Sequence, residues 1–207
     1  MPFTVFQGGS SLQAMNTSGT LTTLTLPTGV TLDSTRQPRW AIFDRYVVLV
    51  NSPTRPITID ADGIVRVLCP NPPQTPATVS NQTGGSLTGS YITRYTYKIY
   101  DPYRRLIAES PASPVSATAT LSSEYLRAAD LALSPDSVSA IALYRTTTAG
   151  TTYLPWVEID GNVQTSVQDD LSDTGLGSVT IGSLGAPPRL THIGEFRERL
   201  WGVSHTE

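Results

Sequence analysis

Cysteine is almost missing from this 207-residue chain: Cys69 stands alone. An intrachain disulfide, a two-cysteine metal clip and a dithiol redox pair are therefore excluded, and Cys69 reads as an inert buried thiol. Lysine is as scarce, with Lys98 against thirteen arginines, and charged residues make up 15% of the chain at a net charge of -3. Without a basic field to neutralise phosphates, sequence-specific nucleic-acid binding is excluded as a main role. Histidine occurs only as His192 and His205, both in the last sixteen residues. A Ser-His-Asp triad or a multi-histidine metal site would have to be built from that short terminal stretch. No eighteen apolar residues run together, and MPFTVFQGGSS lacks a basic n-region leading into an apolar stretch. This argues against membrane insertion and for synthesis in a cytoplasm.

What the chain does have is strand-forming material. Hydrophobic residues make up 39%, enough for a buried core in one large or two small domains. Serine and threonine together supply roughly a quarter of the positions, a composition that suits a β-rich surface protein. The block LYRTTTAGTTYLPWVEIDGNVQTSVQDDLSD, from Leu143 to Asp173, is the most telling. Apolar and polar residues alternate on either side of Gly150, the period-2 signature of paired strands with one buried face.

The chain divides into three parts. In residues 1–76, LTTLTLP, WAIFDRYVVLVN and the runs flanking Asp62-Gly63 read as strands, with Asp-Gly marking a hairpin and the apolar run Tyr46–Val50 a strand buried on both faces. CPNPPQTP, with four prolines, closes this part. In residues 77–178, Tyr91, Thr93, Tyr95, Tyr97 and Ile99 share one strand face. LIAESPASPVSATATL carries two prolines that limit it to a sheet edge or break it in two, and SSEYLRAADLAL at 122–133 reads as a short helix capped by Ser122 or Ser123. Strands return at 137–146, 151–159 and 163–169, giving six or seven in all, the scale of an immunoglobulin-like sandwich. Residues 179–207 form a linker and a strand at Arg199 that has no turn or partner in what remains. It is predicted to pair with the first part, with another subunit, or with chain beyond Glu207.

Sites of chemistry are weakly signalled. Glu158, Asp160, Asp169, Asp170 and Asp173 could be searched for a glycosidase pair, but acids in Asp-Gly and Asp-Asp turns more often bind backbone donors. Asp60-Ala61-Asp62-Gly63 lacks the third oxygen ligand and distal Glu of a calcium loop. Gly8-Gly9-Ser10-Ser11 and Gly84-Gly85-Ser86 have no Lys and no following helix, so they read as flexible turns or linkers. Trp40, Trp156 and Trp201 read as core anchors or subunit contacts. No enzyme activity, metal or cofactor is predicted.

The runs WAIFDRYVVLVNSPTRPITIDADGIVRVL, SYITRYTYKIYDPYRRLIAESPASP, LYRTTTAGTTY and LGAPPRLTHIGEFRERLWGV resemble tail-associated structural proteins of tailed bacteriophages and prophages. In that group a fibronectin-III-like module with a "YR-turn-Y" strand pair precedes a Pro-Pro linker and an "RLWG" strand that opens a propeller-like region, here Arg199–Gly202. The resemblance implies a mainly β fold, with an immunoglobulin/fibronectin-III-like β-sandwich at 77–178. The flanking strands would belong to an incomplete propeller-like or shared sheet domain. It further implies a virion tail nozzle, hub or tip component that assembles as a homo-oligomer with copies of itself and with other tail or portal-proximal proteins.

Two functions follow as expectations. As an assembly subunit, the chain would use Trp40, Tyr46, Phe196, Arg199, Leu200 and Trp201 at its interfaces. As a receptor-binding or adhesion module, it would touch a host surface glycan through Tyr103 and Arg104.

Overall fold

The computed structural model describes residues 3–51, 55–162, 166–181, 189–197 and 199–204. The chain is nearly all β, in several antiparallel sheets, and forms two compact units: Met1–Cys69 with Pro187–Glu207, and Pro70–Ala186.

The first unit holds three sheets. Strands β1 (Phe3–Gly8), β2 (Ser11–Asn16) and β3 (Leu21–Leu24) form a meander. A second sheet runs β4 (Arg39–Phe43), β5 (Tyr46–Val50), β6 (Ile57–Ile59), β7 (Val65–Val67) in that order. Being central, β5 buries Val48, Leu49 and Val50 on both faces, as its unbroken apolar run predicts. The Asp-Gly hairpin joins β6 to β7: Gly63 takes φ +77°, and Asp60 Oδ1 accepts the N–H groups of Asp62 and Ile64. The third sheet is a hairpin of β15 (Leu190–Phe196) and β16 (Arg199–Ser204), with Phe196 opposite Arg199. The expectation that the Arg199 strand lacks a turn and a local partner is thus corrected. Its partner lies in THIGEF, and Arg197 at φ +51° takes the turn position that Gly or Asn would have announced.

The second unit is a β-sandwich. One sheet has the order β10 (Leu106–Glu109), β9 (Thr93–Tyr100), β12 (Ala140–Thr146), β13 (Tyr153–Asp160). The other has the order β14 (Val167–Asp169), β11 (Ala119–Ala129), β8 (Thr78–Tyr91). Tyr95, Tyr97, Ile141 and Leu143 from the first sheet meet Ala128 from the second in one buried cluster, so the two sheets share a core. The tyrosine rings stand edge to face, centroids 6.1 Å apart. Their hydroxyls donate to Thr75 O and Ala132 O at 2.9 and 2.6 Å, satisfying the polar ends of buried rings.

Residues 122–129, predicted helical, lie in β11. Ser123, at φ +57°, sits where the register shifts between Ser122 and Glu124, facing the extra residues 84–87 of β8. The shift breaks the period-2 pattern, so Tyr125, Leu126 and Ala129 fall at helix-like spacing while the strand pairs with both neighbours. Gly84-Gly85-Ser86, predicted to be a flexible turn or linker, lies inside β8 at that shift. A Cβ on Gly85 would strike the Tyr125 and Glu124 backbone, and Ser86 N and Oγ both donate to Asp170 Oδ1. Cys69 is half-buried, not fully buried as predicted.

The two prolines after β10 sit in a substitute for an edge strand. Ser110, Ser113 and Ser116 recur every third residue, and their N–H groups donate to the carbonyls of Tyr97, Tyr95 and Thr93. Their Oγ atoms accept the N–H groups of the same three residues at 2.9 to 3.1 Å. Serine hydroxyls thus supply acceptors to a β9 edge that a proline-bearing strand could not pair regularly.

The innermost charge is Arg145 on β12, fully buried. Its Nε meets Asp169 Oδ2 and its Nη1 meets Asp173 Oδ1, both at 2.6 Å. Nη1 also donates to Thr146 O and Nη2 to Leu171 O, and the guanidinium lies 5.0 Å from the Tyr91 ring centroid. Removing one partner of such a pair strands the other charge. We expect Arg145→Met to lower unfolding free energy by about 3 to 5 kcal/mol in urea titrations. A loss below about 1 kcal/mol would show that Asp169 finds other compensation.

Candidate functional site

Two surfaces carry the predicted site residues, one in each unit.

In the second unit, Asp101–Arg105 connects β9 to β10. Asp101 is buried, and its Oδ1 accepts the N–H groups of Tyr103 and Arg105 at 2.9 and 2.8 Å. Its Oδ2 pairs with Arg105 Nε at 2.7 Å. Burial alone would raise the Asp101 pKa, but the Arg105 N–H and guanidinium, together with the Tyr103 N–H, outweigh it and hold the carboxyl below its ordinary value. The loop is therefore fixed from within, and it presents Tyr103 at 74% exposure. Arg104, at φ +62°, does not project with it. Its Nη1 lies 2.8 Å from Asp160 Oδ1 and its guanidinium 5.1 Å from the Tyr100 ring centroid. Of the two predicted recognition residues, Tyr103 is displayed and Arg104 is laid along β13.

Behind this loop the outer face of the four-stranded sheet is an interlocked polar layer. Lys98 Nζ and Tyr100 OH both donate to Glu158 Oε2, at 3.0 and 2.8 Å. Thr96 and Tyr144 hydroxyls both donate to Glu109 Oε1 at 2.6 Å. Burial first, and then the Glu109 carboxylate, push the Tyr144 hydroxyl up to about 12. Burial would lower Lys98, yet its bond to Glu158 and the nearby anions drive it upward instead.

Each acid weighed for catalysis has a fixed partner. Glu158 and Asp160 hold Lys98 and Arg104, Asp169 and Asp173 hold Arg145, and Asp170 holds Ser86. Asp60 spends Oδ2 on Arg66 at 2.6 Å. Among the described residues no three His, Cys, Asp or Glu side chains gather at a metal-ligating distance.

In the first unit, the predicted assembly residues lie on β4, β5 and the β15–β16 hairpin. Arg199, Trp201 and Val203 alternate along one face of β16, across from Phe196, Gly194 and His192 of β15. Phe196, Trp201 and Val203 are 60, 58 and 60% exposed. Gly194 stands opposite Trp201, whose indole Nε1 donates to Phe196 O at 3.2 Å. On β4, Trp40 and Ile42 share the face opposite Ala41 and are 36 and 73% exposed. Trp40 and Trp201 are therefore not core anchors. Trp156 does pack, partly buried, against the sandwich core. Tyr46 is half-buried opposite Phe43 across the β4–β5 turn, Leu200 is half-buried, and Arg199 is exposed. Sequence reasoning missed Ile42 and Val203. Their signal was the alternation with Ala41 and Gly202, which marks the outward face once the strand is known.

The depressed Asp101 carboxyl contributes stability that is present above the unfolded value of about 4 and is lost as pH falls through the lower folded value. We expect the stability gap between wild type and Asp101→Asn to be constant from pH 5 to 8 and to close in acid, read by urea unfolding at each pH. A gap that widened as pH fell would contradict this sign.

No protein-family model matches the chain and no curated protein matches it.

Proposed function

We propose that this protein is a structural assembly subunit that forms a homo-oligomer through the β4 and β15–β16 surface. The observation that carries the reading is the outward aromatic and aliphatic row Phe196, Trp201 and Val203 on a two-stranded hairpin. Apolar side chains grouped on a surface mark interaction sites, and a two-stranded sheet offers backbone donors and acceptors for strand addition. Exposed portions of three such residues with Ile42 amount to roughly 400 Å². A standard interface takes about 800 Å² per partner, so added strand pairing or neighbouring polar surface completes it.

The sequence resemblance carries the biological setting. The Arg199–Gly202 motif and the "YR-turn-Y" pair support a tail nozzle, hub or tip component of a tailed-bacteriophage virion, in contact with copies of itself and with other tail or portal-proximal proteins. Within that reading the seven-stranded sandwich is a fibronectin-III-like module. A second reading, a receptor-binding module for a host glycan, is favoured by one feature: Tyr103 held out on a pre-ordered loop.

We expect light scattering of the purified chain to give one closed oligomer mass over a wide concentration range, and Phe196→Ser with Trp201→Ser to give a monomer of unchanged circular dichroism. A wild-type monomer at every concentration would overturn self-assembly. Tyr103→Ala should leave the mass unchanged, and its loss of binding on a glycan array would select the second reading.

A further inference from the structure

The assembly row and the Tyr103 loop leave one built feature of the first unit unused. A cavity of about 250 Å³ is bordered by Arg36, Gln37, Arg39, Asn51, Thr191 and His192, with Val50 as its aliphatic wall. No acidic residue lines it, while two arginines do. The Arg39 side chain is exposed and has no ion-pair or hydrogen-bond partner among the described residues. Arg36 meets Asp33 Oδ2 through Nε at 3.2 Å, which leaves its terminal amino groups available.

The loop that carries Arg36, just before Arg39 opens β4, is held in advance. Asn51, 2% exposed, donates through Nδ2 to Arg36 O, Asp33 O and Gln7 Oε1 at 3.0, 3.3 and 3.0 Å. Its Oδ1 accepts the Asp33 N–H. Asn51 therefore frames the cavity. On the opposite wall Thr191 Oγ1 donates to Val203 O at 3.1 Å and lies 3.2 Å from His192 Nδ1, so β15 presents an ordered polar edge.

We propose that this cavity binds a small oxyanion, a phosphate, sulfate or carboxylate group, through Arg39 and Arg36. A planar guanidinium matches two oxygens of such a group, and Arg39, which has no ion-pair partner among the described residues, beside the outer face of Arg36 favours an anion over a neutral ligand. The volume falls below the roughly 300 to 1,000 Å³ of ordinary small-molecule pockets. It suits a charged head group with a few waters and is too small for a nucleotide. Because the lining comes from the β4–β5 region and from β15, the bound anion ties the hairpin to the sheet and raises thermal stability.

Calorimetry and thermal melts on the whole chain, with sodium phosphate, glucuronate or chloride at constant ionic strength, test the site. Saturable one-to-one binding of phosphate or glucuronate, with a rise in melting temperature that chloride does not give, is expected. Phosphate binding alone would assign a tetrahedral oxyanion, and glucuronate binding would assign a carboxylate. Arg39→Gln should weaken binding at least about tenfold, with its anion-free melting temperature unchanged. Arg127→Gln, on β11, should bind as wild type. No saturable binding of either anion, or equal binding by Arg39→Gln, overturns the proposal.

Discussion

The buried charge of Arg145 constrains the sandwich more than any other single group. Its position on β12 points into the core, where an unpaired guanidinium would cost several kcal/mol. The chain after β13 must therefore return with acceptors. Asp169, Leu171 O and Asp173 all come from one short stretch. Asp173 then reaches the Thr148 N–H with its second oxygen, which ties the β12–β13 turn to the same clamp. The two carboxyls respond in opposite ways. Desolvation dominates at Asp169 and raises its pKa, whereas at Asp173 the bonds from Thr148 and Arg145 overcome desolvation and lower it. The inner acid is there because the cation requires it, and the outer one also gains from the contact.

Around that clamp the sandwich settles its own hydrogen bonds at the edges. β9 has β12 on one side and β10 on the other for only part of its length. The remainder is covered by Ser110, Ser113 and Ser116, each giving one donor and one acceptor to the strand. Prolines 111 and 114 remove backbone donors in that segment, so hydroxyl groups at every third position close the ladder by another route. An edge finished in this way offers little to an incoming strand.

How much of this was legible follows from the range of each interaction. The buried face Thr93, Tyr95, Tyr97 and Ile99 of β9 and the β5 run depend on local period and were readable, as was the Asp-Gly hairpin, which depends on one dipeptide, whereas Tyr91, read on the same face, ends β8 in the other sheet. The helix predicted at 122–133 failed because the register shift at Ser123 is made with extra residues of the partner strand β8, not by the local sequence. The C-terminal hairpin was missed because Arg197 adopts positive φ without the Gly or Asn that signals it. Trp201, read as a core anchor or a contact residue, is exposed, and it lies on a strand pair that the sequence did not announce. The Arg36–Arg39 cavity needs Thr191 and His192 from about 150 residues away, and no spacing rule reaches that far.

These edges also suggest why assembly would use the first unit. A surface that recruits another copy needs apolar side chains to exclude water and unspent backbone groups to fix register. On the four-stranded face of the sandwich the side chains are already paired with one another, through Glu109, Glu158 and their donors, and opening them for a partner would cost desolvation with little return. The β15–β16 hairpin has the opposite character. Its outward row is aromatic and aliphatic, and its indole N–H is satisfied within the hairpin. Burying that row therefore removes apolar area from water without stranding a donor, which is the condition under which hydrophobic association is favourable.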